Sequence, residues 1–180
     1  GRGTTIEGNT FEDVLHSKLP TWANVEGEPA AVLLDEGSSG ITVANNAIKR
    51  SGRGVIVEGG QGNTVRDNSF TGTSTPILLK SLAGDTAALN RLQAELASVP
   101  HTTSAWTSRY PTLAADLTDS SSPKNNSFRQ NRATDMDWLV NATEAARSYV
   151  PTEDQNFTRN GTPTKLGSLL GYEAEASPTP

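Results

Sequence analysis

The sequence contains no cysteine and only two histidines. Without cysteine the chain can form neither disulfides nor thiolate metal sites, and it has no cysteine nucleophile. The two histidines, His16 and His101, are too few for a histidine-rich metal centre. We therefore expect no bound metal and no cofactor.

Basic clusters and long apolar runs are also lacking. Lys and Arg number 15 against 20 Asp and Glu, which gives a net charge of −5. Non-specific nucleic-acid binding needs a cluster of basic side chains, and a membrane span needs roughly 20 consecutive apolar residues. The sequence has neither, so we expect no nucleic-acid partner and no membrane span. Its 180 residues suffice for one domain.

One motif recurs five times: an apolar residue, two polar residues, asparagine, a variable residue and usually a second apolar residue. Successive asparagines of the motif are 37, 22, 63 and 29 residues apart. The shortest spacing is typical of one turn of a parallel β-helix, in which short strands stack with turns between them. The longer spacings indicate coils with insertions or two coils together. The five residues are Asn9, Asn46, Asn68, Asn131 and Asn160.

The physical reason for such a repeat is hydrogen bonding at a corner of the coil. Stacked asparagines can bond to one another and to the backbone, and so satisfy polar groups whose burial would otherwise cost a few kcal/mol each. We expect asparagine to occupy the bend in a left-handed or bridge conformation. The strand Ile41–Val43 then points both terminal side chains into the core, as do Phe11, Ile48 and Phe70. Hairpin signals are sparse, which argues against a β-sandwich.

Three further segments are short, rich in β-formers and almost continuously apolar: Ala31–Leu34, Gly54–Val57 and Pro76–Leu79. This composition is typical of strands in a parallel sheet. The glycine-rich stretch Gly59–Asn63 is a tight turn, because no helix follows it to form a phosphate cradle.

One helix interrupts the coils near residues 85–98. Asp85 is a suitable N-cap, and a partly apolar face continues to about Ser98. The sequence thus predicts an all-β solenoid over residues 1–171, with a helix and an irregular insertion at 84–123 and a flexible tail at 172–180.

Particular stretches of the chain resemble a known family. Leu33–Val43, Gly52–Gly60 and the Arg-Tyr-Pro-x-Leu element Arg109–Leu113 resemble secreted bacterial right-handed parallel β-helix proteins of the carbohydrate-active type, collinearly over about residues 1–165. That family includes glycoside hydrolases similar to α-L-fucosidases and xylanases. The resemblance implies a right-handed β-helix, a secreted (extracellular or periplasmic) location and a carbohydrate polymer as partner.

The family's pattern also implies two carboxylates on neighbouring coils. Leu34-Asp35-Glu36 matches the second of its acidic segments, with Glu36 in place of the second acid. Gly1-Arg2 matches the tail of the first segment, so the resemblance places the first carboxylate before residue 1. Where the family commonly has histidine beside the first asparagine corner, this chain has Glu12.

From the residues themselves, Asp35 is the best catalytic candidate because it follows an apolar strand and precedes a turn. Glu58 ends the strand Val55–Val57 in the same way, so we expect the two carboxylates to stack about one coil apart, at roughly 4.7–4.9 Å. Like charges this close raise the pKa of one member, which yields an acid and a base from one pair. Glycosidic cleavage requires such a pair.

Other residues could bind substrate. Lys49, Arg50 and Arg53 form a basic cluster that a uronate lyase or epimerase would use to neutralise a substrate carboxylate, although ordinary solubility also explains it. Trp22 could stack on a sugar ring in a loop beside Asp35, and His16 could assist proton transfer there.

The leading functional prediction is the C-terminal portion of a secreted β-helix glycoside hydrolase with Asp35 and Glu58 as the catalytic pair. The alternatives are a uronate polysaccharide lyase or epimerase, and a non-catalytic carbohydrate-binding β-helix. Because an unpaired first coil is an aggregation template, we also expect missing N-terminal coils or a second chain to cover Ile6–Phe11.

Overall fold

The computed structural model describes residues 2–18, 29–111, 119–134, 139–151, 157–159, 162–164 and 170–173. Fifteen short strands in this part of the chain form three sheets. Every strand pair but one is parallel.

Each sheet collects strands from successive stretches of the chain. Sheet A consists of β1 (Thr5–Glu7), β4 (Thr42–Ala44), β7 (Thr64–Arg66) and β10 (Ser127–Arg129). Sheet B consists of β2 (Thr10–Glu12), β5 (Ala47–Lys49), β8 (Ser69–Thr71), β11 (Arg132–Thr134), β13 (Phe157–Arg159) and β14 (Thr162–Thr164), the last two being antiparallel. Sheet C consists of β3 (Ala30–Leu34), β6 (Arg53–Glu58), β9 (Thr75–Lys80), β12 (Val140–Thr143) and β15 (Leu170–Glu173).

From β1 to β12 the chain visits the sheets in the order A, B, C and then repeats, as in a parallel β-helix-like solenoid. Successive strands stack in register: Ile6 lies opposite Val43, and Val43 lies opposite Val65. The expected architecture of parallel, stacked strands is confirmed. The three apolar segments proposed as strands are β3, β6 and β9, one above another in sheet C.

Inward-facing side chains of the three sheets form one core. Ile48 and Phe70 are stacked in sheet B and are 0% and 1% exposed, and Ile41 and Val43 are also buried, as the alternation predicts. Phe11, in the first coil, packs partly buried against this core. The core runs along the axis of the solenoid, which is why the polar residues collect at the corners.

The asparagine column is confirmed for the four members that the structure describes. The Oδ1 atom of Asn46 accepts hydrogen bonds from the backbone N (2.9 Å) and Nδ2 (3.1 Å) of Asn9. Asn68 receives the same two bonds from Asn46, and Asn131 receives them from Asn68, all at 3.0–3.1 Å. We call these four residues the asparagine ladder. The fifth predicted member, Asn160, lies outside the described residues.

The bend itself is made differently from the prediction. The left-handed residue at each corner is the one before the ladder asparagine, as with Asn45 (φ 54°), Asp67 (φ 57°) and Gln130 (φ 54°), with Gly8 (φ 71°) in the first coil. The ladder asparagines do not have positive φ angles. The residue before each ladder asparagine therefore turns the chain, and the asparagine itself makes the hydrogen bonds, since its amide must face inward to reach the next coil.

A second amide column, which the sequence analysis missed, lies at the corner before sheet A. The backbone N of Ile41 donates to Oδ1 of Asn63, and the N of Asn63 donates to Oδ1 of Asn126, both at 2.9 Å. Asn63 and Asn126 are 63 residues apart, the same separation as Asn68 and Asn131. That shared offset was the available signal.

The predicted helix is confirmed as α1 (Thr86–Ser98), and its N-cap Asp85 accepts a 2.9 Å hydrogen bond from the backbone N of Ala88. The segment proposed as irregular contains a second short helix, α2 (Ser104–Arg109), which begins after the extended residue Thr103. Two 3-10 helices complete the described elements, His16–Lys18 and Glu144–Tyr149. No described helix has the length and apolar character needed to cross a membrane. Most of the predicted tail, from 174 onward, lies outside the described residues.

Candidate functional site

The C-terminal ends of the sheet C strands bring three ionisable residues into one column. Asp35 directly follows β3, Glu58 ends β6 and Lys80 ends β9. Leu34 lies opposite Val57, and Glu58 lies opposite Lys80, so the three residues occupy equivalent positions on successive coils. Neighbouring strands are about 4.7–4.9 Å apart. We call Asp35, Glu58 and Lys80 the charged column.

Glu58, the middle member, has a perturbed environment. Its side chain is 18% exposed, and Nζ of Lys80 forms an ion pair with Oε1. Burial, followed by a hydrogen bond with the Asp35 carboxyl, raises the pKa of Glu58, and the ammonium of Lys80 acts in the opposite direction. Asp35 is exposed and accepts a 2.8 Å bond from the backbone N of Glu36. The site therefore pairs a largely buried carboxyl with an exposed one.

Tight turns after the strands hold this edge in place. Gly37 (φ 77°) donates its backbone N–H to the carbonyl of Glu58, and Gly59 (φ 70°) donates to that of Lys80, both at 2.9 Å. A side chain at Gly59 would meet Leu82 at 2.5 Å. Glycine is thus required there both for its left-handed backbone and for close packing.

Helix α1 lies against the same edge. Nε of Arg91 donates a 2.8 Å hydrogen bond to Oε1 of Glu36, and this carboxylate raises the pKa of the Arg91 guanidinium. The side chain of Leu92 packs over Gly37. The helix therefore forms one wall beside the charged column.

A cavity of about 360 Å³ lies between the two helices and the turns that follow Asp35 and Glu58. Glu36 and Gly59, the residues directly after the two carboxylates, both line it. Its far wall is aromatic: the rings of Trp106 and Tyr110 are 5.8 Å apart at 45°. We call this space the helix cavity.

Charged and polar groups also line the helix cavity. The guanidinium carbon of Arg2 lies 6.0 Å from the centre of the Tyr110 ring. Glu36, Glu95 and His101 also line the cavity. Nδ1 of His101 lies 3.0 Å from the carbonyl oxygen of Leu96, which can only accept, so Nδ1 carries the proton and Nε2 of the neutral ring is an acceptor.

The basic residues proposed for a uronate site do not gather around the charged column. Lys49 ends β5 in sheet B, and Arg53 begins β6, at the opposite end of that strand from Glu58. Arg50 binds Glu12, and its Nε lies 2.9 Å from Oδ1 of Asp13. This contact lowers the pKa of Asp13.

The two loop residues predicted to bind substrate are Trp22 and His16. Trp22 lies outside the described residues. His16 begins the 3-10 helix His16–Lys18, and only the backbone of His16 is described. Sequence reasoning did not find the roles of Lys80, Arg91 or the helix cavity. For Lys80 the signal was its place at the end of Pro76–Leu79, equivalent to Glu58 after Val55–Val57.

Within the described ranges, no three His, Asp or Glu side chains are grouped so that they could hold a metal ion. Comparison of the chain with protein-family models, curated proteins and solved structures gives no match. The functional argument therefore depends on the geometry of the charged column and the helix cavity.

Proposed function

We propose that this chain is part of a secreted glycoside hydrolase with a right-handed parallel β-helix, acting on a carbohydrate polymer at Asp35 and Glu58. One observation supports it above the others: the two carboxyl groups lie on adjacent coils, and burial together with Asp35 raises the pKa of Glu58. A raised pKa suits a general acid, and an exposed ionised carboxylate suits a nucleophile or base.

The spacing of adjacent coils leads us to propose a retaining mechanism. Retaining enzymes place their carboxyls about 5–5.5 Å apart and inverting enzymes about 6.5–9.5 Å apart, and strands on adjacent coils are about 4.7–4.9 Å apart. In this mechanism Glu58 donates its proton to the glycosidic oxygen while Asp35 attacks the anomeric carbon. The leaving sugar departs as an alcohol, and an ester joins the remaining sugar to Asp35.

The second step reverses the proton transfer. Glu58, now ionised, removes a proton from water, and the hydroxide attacks the anomeric carbon and releases Asp35. Lys80 supports this step because its ammonium stabilises the ionised form of Glu58 between the two transfers. The helix cavity adjoins the pair and supplies a place for a sugar next to the cleaved bond.

The test is release of reducing ends from neutral and acidic plant polysaccharides, with retention or inversion followed by NMR. We expect Asp35→Asn and Glu58→Gln each to lower the rate about 10²–10⁴-fold. Glu7→Gln, which removes an exposed carboxylate at the end of β1 in sheet A, is the matched control and should leave the rate unchanged. Equal rates in all three variants would refute the assignment. Unsaturated products would indicate a lyase instead.

A second candidate is a non-catalytic carbohydrate-binding β-helix, which the aromatic wall of the helix cavity favours. Retention of the chain on a polysaccharide without any product, in wild type and variants alike, would select this alternative.

A further inference from the structure

We propose that the helix cavity binds a ring-sized ligand that carries a protonated amine, such as an amino sugar, in preference to a neutral or acidic sugar. The inference rests on the proposed function in one respect only, namely that the cavity adjoins the charged column. It names the chemical class of the sugar bound there, and binding tests it separately from cleavage.

The size and wall of the cavity set the first limit on the ligand. A volume of about 360 Å³ is at the lower end of small-molecule sites, which favours a single ring over an extended chain segment. Trp106 and Tyr110 form a half-buried aromatic wall that can cover the apolar face of such a ring. Aromatic faces also attract cations.

The polar lining favours donors on the ligand. Glu36 and Glu95 contribute carboxylates, which only accept hydrogen bonds, and His101 also lines the cavity. A ligand that presents N–H and O–H groups would satisfy these acceptors. A ligand carboxylate would be repelled by two carboxylates of the lining and attracted by one guanidinium, that of Arg2.

The pairing of the charged side chains in the lining supports the same ligand. Two carboxylates and one guanidinium face the cavity. Arg2 is held over the Tyr110 ring, and Arg91 binds Glu36 from outside the cavity. Among the described contacts no ion pair involves Glu95, so its carboxylate is the one in the lining with which a ligand amine can pair.

The experiment is calorimetric titration of the full chain with D-glucosamine, D-glucose and D-glucuronate below about pH 7, where the amine is protonated. We expect glucosamine to bind about fivefold more tightly than glucose, which corresponds to about 1 kcal/mol, and glucuronate to bind least. Equal affinities, no binding, or tighter binding of glucuronate would overturn the proposal.

Variants locate the site. Glu95→Gln should reduce the preference for glucosamine over glucose to less than about twofold, since it removes the unpaired charge. Trp106→Ala should weaken both sugars about tenfold without changing the preference. Glu144→Gln is the control for loss of a surface carboxylate, and thermal unfolding verifies that each variant is folded. An unchanged preference in Glu95→Gln would contradict the assignment.

Failure of this inference is distinguishable from failure of the proposed function. Cleavage that depends on Asp35 and Glu58 without a preference for glucosamine would refute the inference alone. A preference for glucosamine without any cleavage would refute the hydrolase and leave the binding site standing.

Discussion

Two polar columns follow the axis of this solenoid, and they solve the stacking of polar side chains in opposite ways. The asparagine ladder repeats one residue through four coils, with every described amide bonded to the next. The charged column changes residue at each coil, from Asp35 to Glu58 to Lys80.

The chemistry of the side chains explains the difference. An amide carries both donors and acceptors, so identical residues can bond to one another without limit. A carboxylate only accepts, so two in succession must share a proton or be followed by a cation. The first column can therefore serve stability alone, whereas the second keeps a titratable group within reach of solvent. Three variants test this contrast.

The largest effect is expected from Asn68→Ala. Asn68 is fully buried, accepts two bonds from Asn46, and donates to the carbonyl of Val43 and to Asn131. Its removal leaves several buried groups unpaired, and we expect the free energy of unfolding to fall by about 3–5 kcal/mol. Urea denaturation followed by circular dichroism measures it.

Asn90→Ala is the matched control, because Asn90 is exposed on α1 and alanine is the better helix former. It should be neutral or slightly stabilising. If Asn68→Ala cost no more than Asn90→Ala, the ladder would not contribute to stability.

A smaller effect is expected from Glu58→Gln, in the dependence of stability on pH. Because the pKa of Glu58 is raised on folding, the folded state binds this proton more tightly than the unfolded state. The resulting stabilisation is fully present below the ordinary glutamate pKa of about 4.5 and is lost as the pH rises through the folded-state value. Glutamine has no such proton, so the variant should not lose this stability as the pH rises. Solvent screening keeps the loss in the wild type below about 1 kcal/mol.

Unfolding at a series of pH values from about 3 to 8 measures this difference. Asp119 is an internal control of opposite sign. Nζ of Lys124 lies 2.5 Å from Oδ2 of Asp119, and this contact together with Ser122 lowers the pKa of Asp119. The stabilisation that Asp119 contributes is therefore lost as the pH falls below 3.8. This loss of stability at low pH should persist in Glu58→Gln. Identical profiles of stability against pH for wild type and variant above pH 4.5 would contradict the raised pKa of Glu58.

The smallest effect is expected from Gln130→Gly, at the exposed left-handed residue beside the ladder. Relief of the left-handed strain, about 1–2 kcal/mol, is largely offset by the greater freedom of glycine in the unfolded chain. We expect a net change within about 0.5 kcal/mol by urea denaturation. Asn131→Gly, one residue further on, should instead lose several kcal/mol, and similar losses at both positions would refute the division of roles.

Much of the fold could be predicted from the sequence because the restraint is local and repeated. The spacing of 22 residues between Asn46 and Asn68 indicates a coil, and alternation in Ile41–Val43 indicates which side chains point inward. The second column at Asn63 and Asn126 escaped notice because Gly60 and Pro123 stand three residues before these asparagines, where the motif has a large apolar residue. The short helix Ser104–Arg109 was missed because its sequence has few strong helix formers.

The candidate site could be predicted only in part. The adjacency of Asp35 and Glu58 follows from counting residues within two similar strands, so the sequence contains it. The helix cavity does not follow from any count, because it depends on where an inserted helix returns to the coils. Contacts such as that between Arg91 and Glu36, 55 residues apart, are set by tertiary packing.

The identical offset of the two amide columns has a consequence for how such a protein can change. Asn63 and Asn126, like Asn68 and Asn131, remain bonded neighbours although 63 residues separate them, whereas 22 suffice between Asn46 and Asn68. The extra chain leaves after β9 and returns before β10, beside Lys80 and the wall of the cavity. A segment of another length or composition could be grafted between these two anchor points with the stack left intact, so the helices and the cavity that they line can diversify while the coils stay constant.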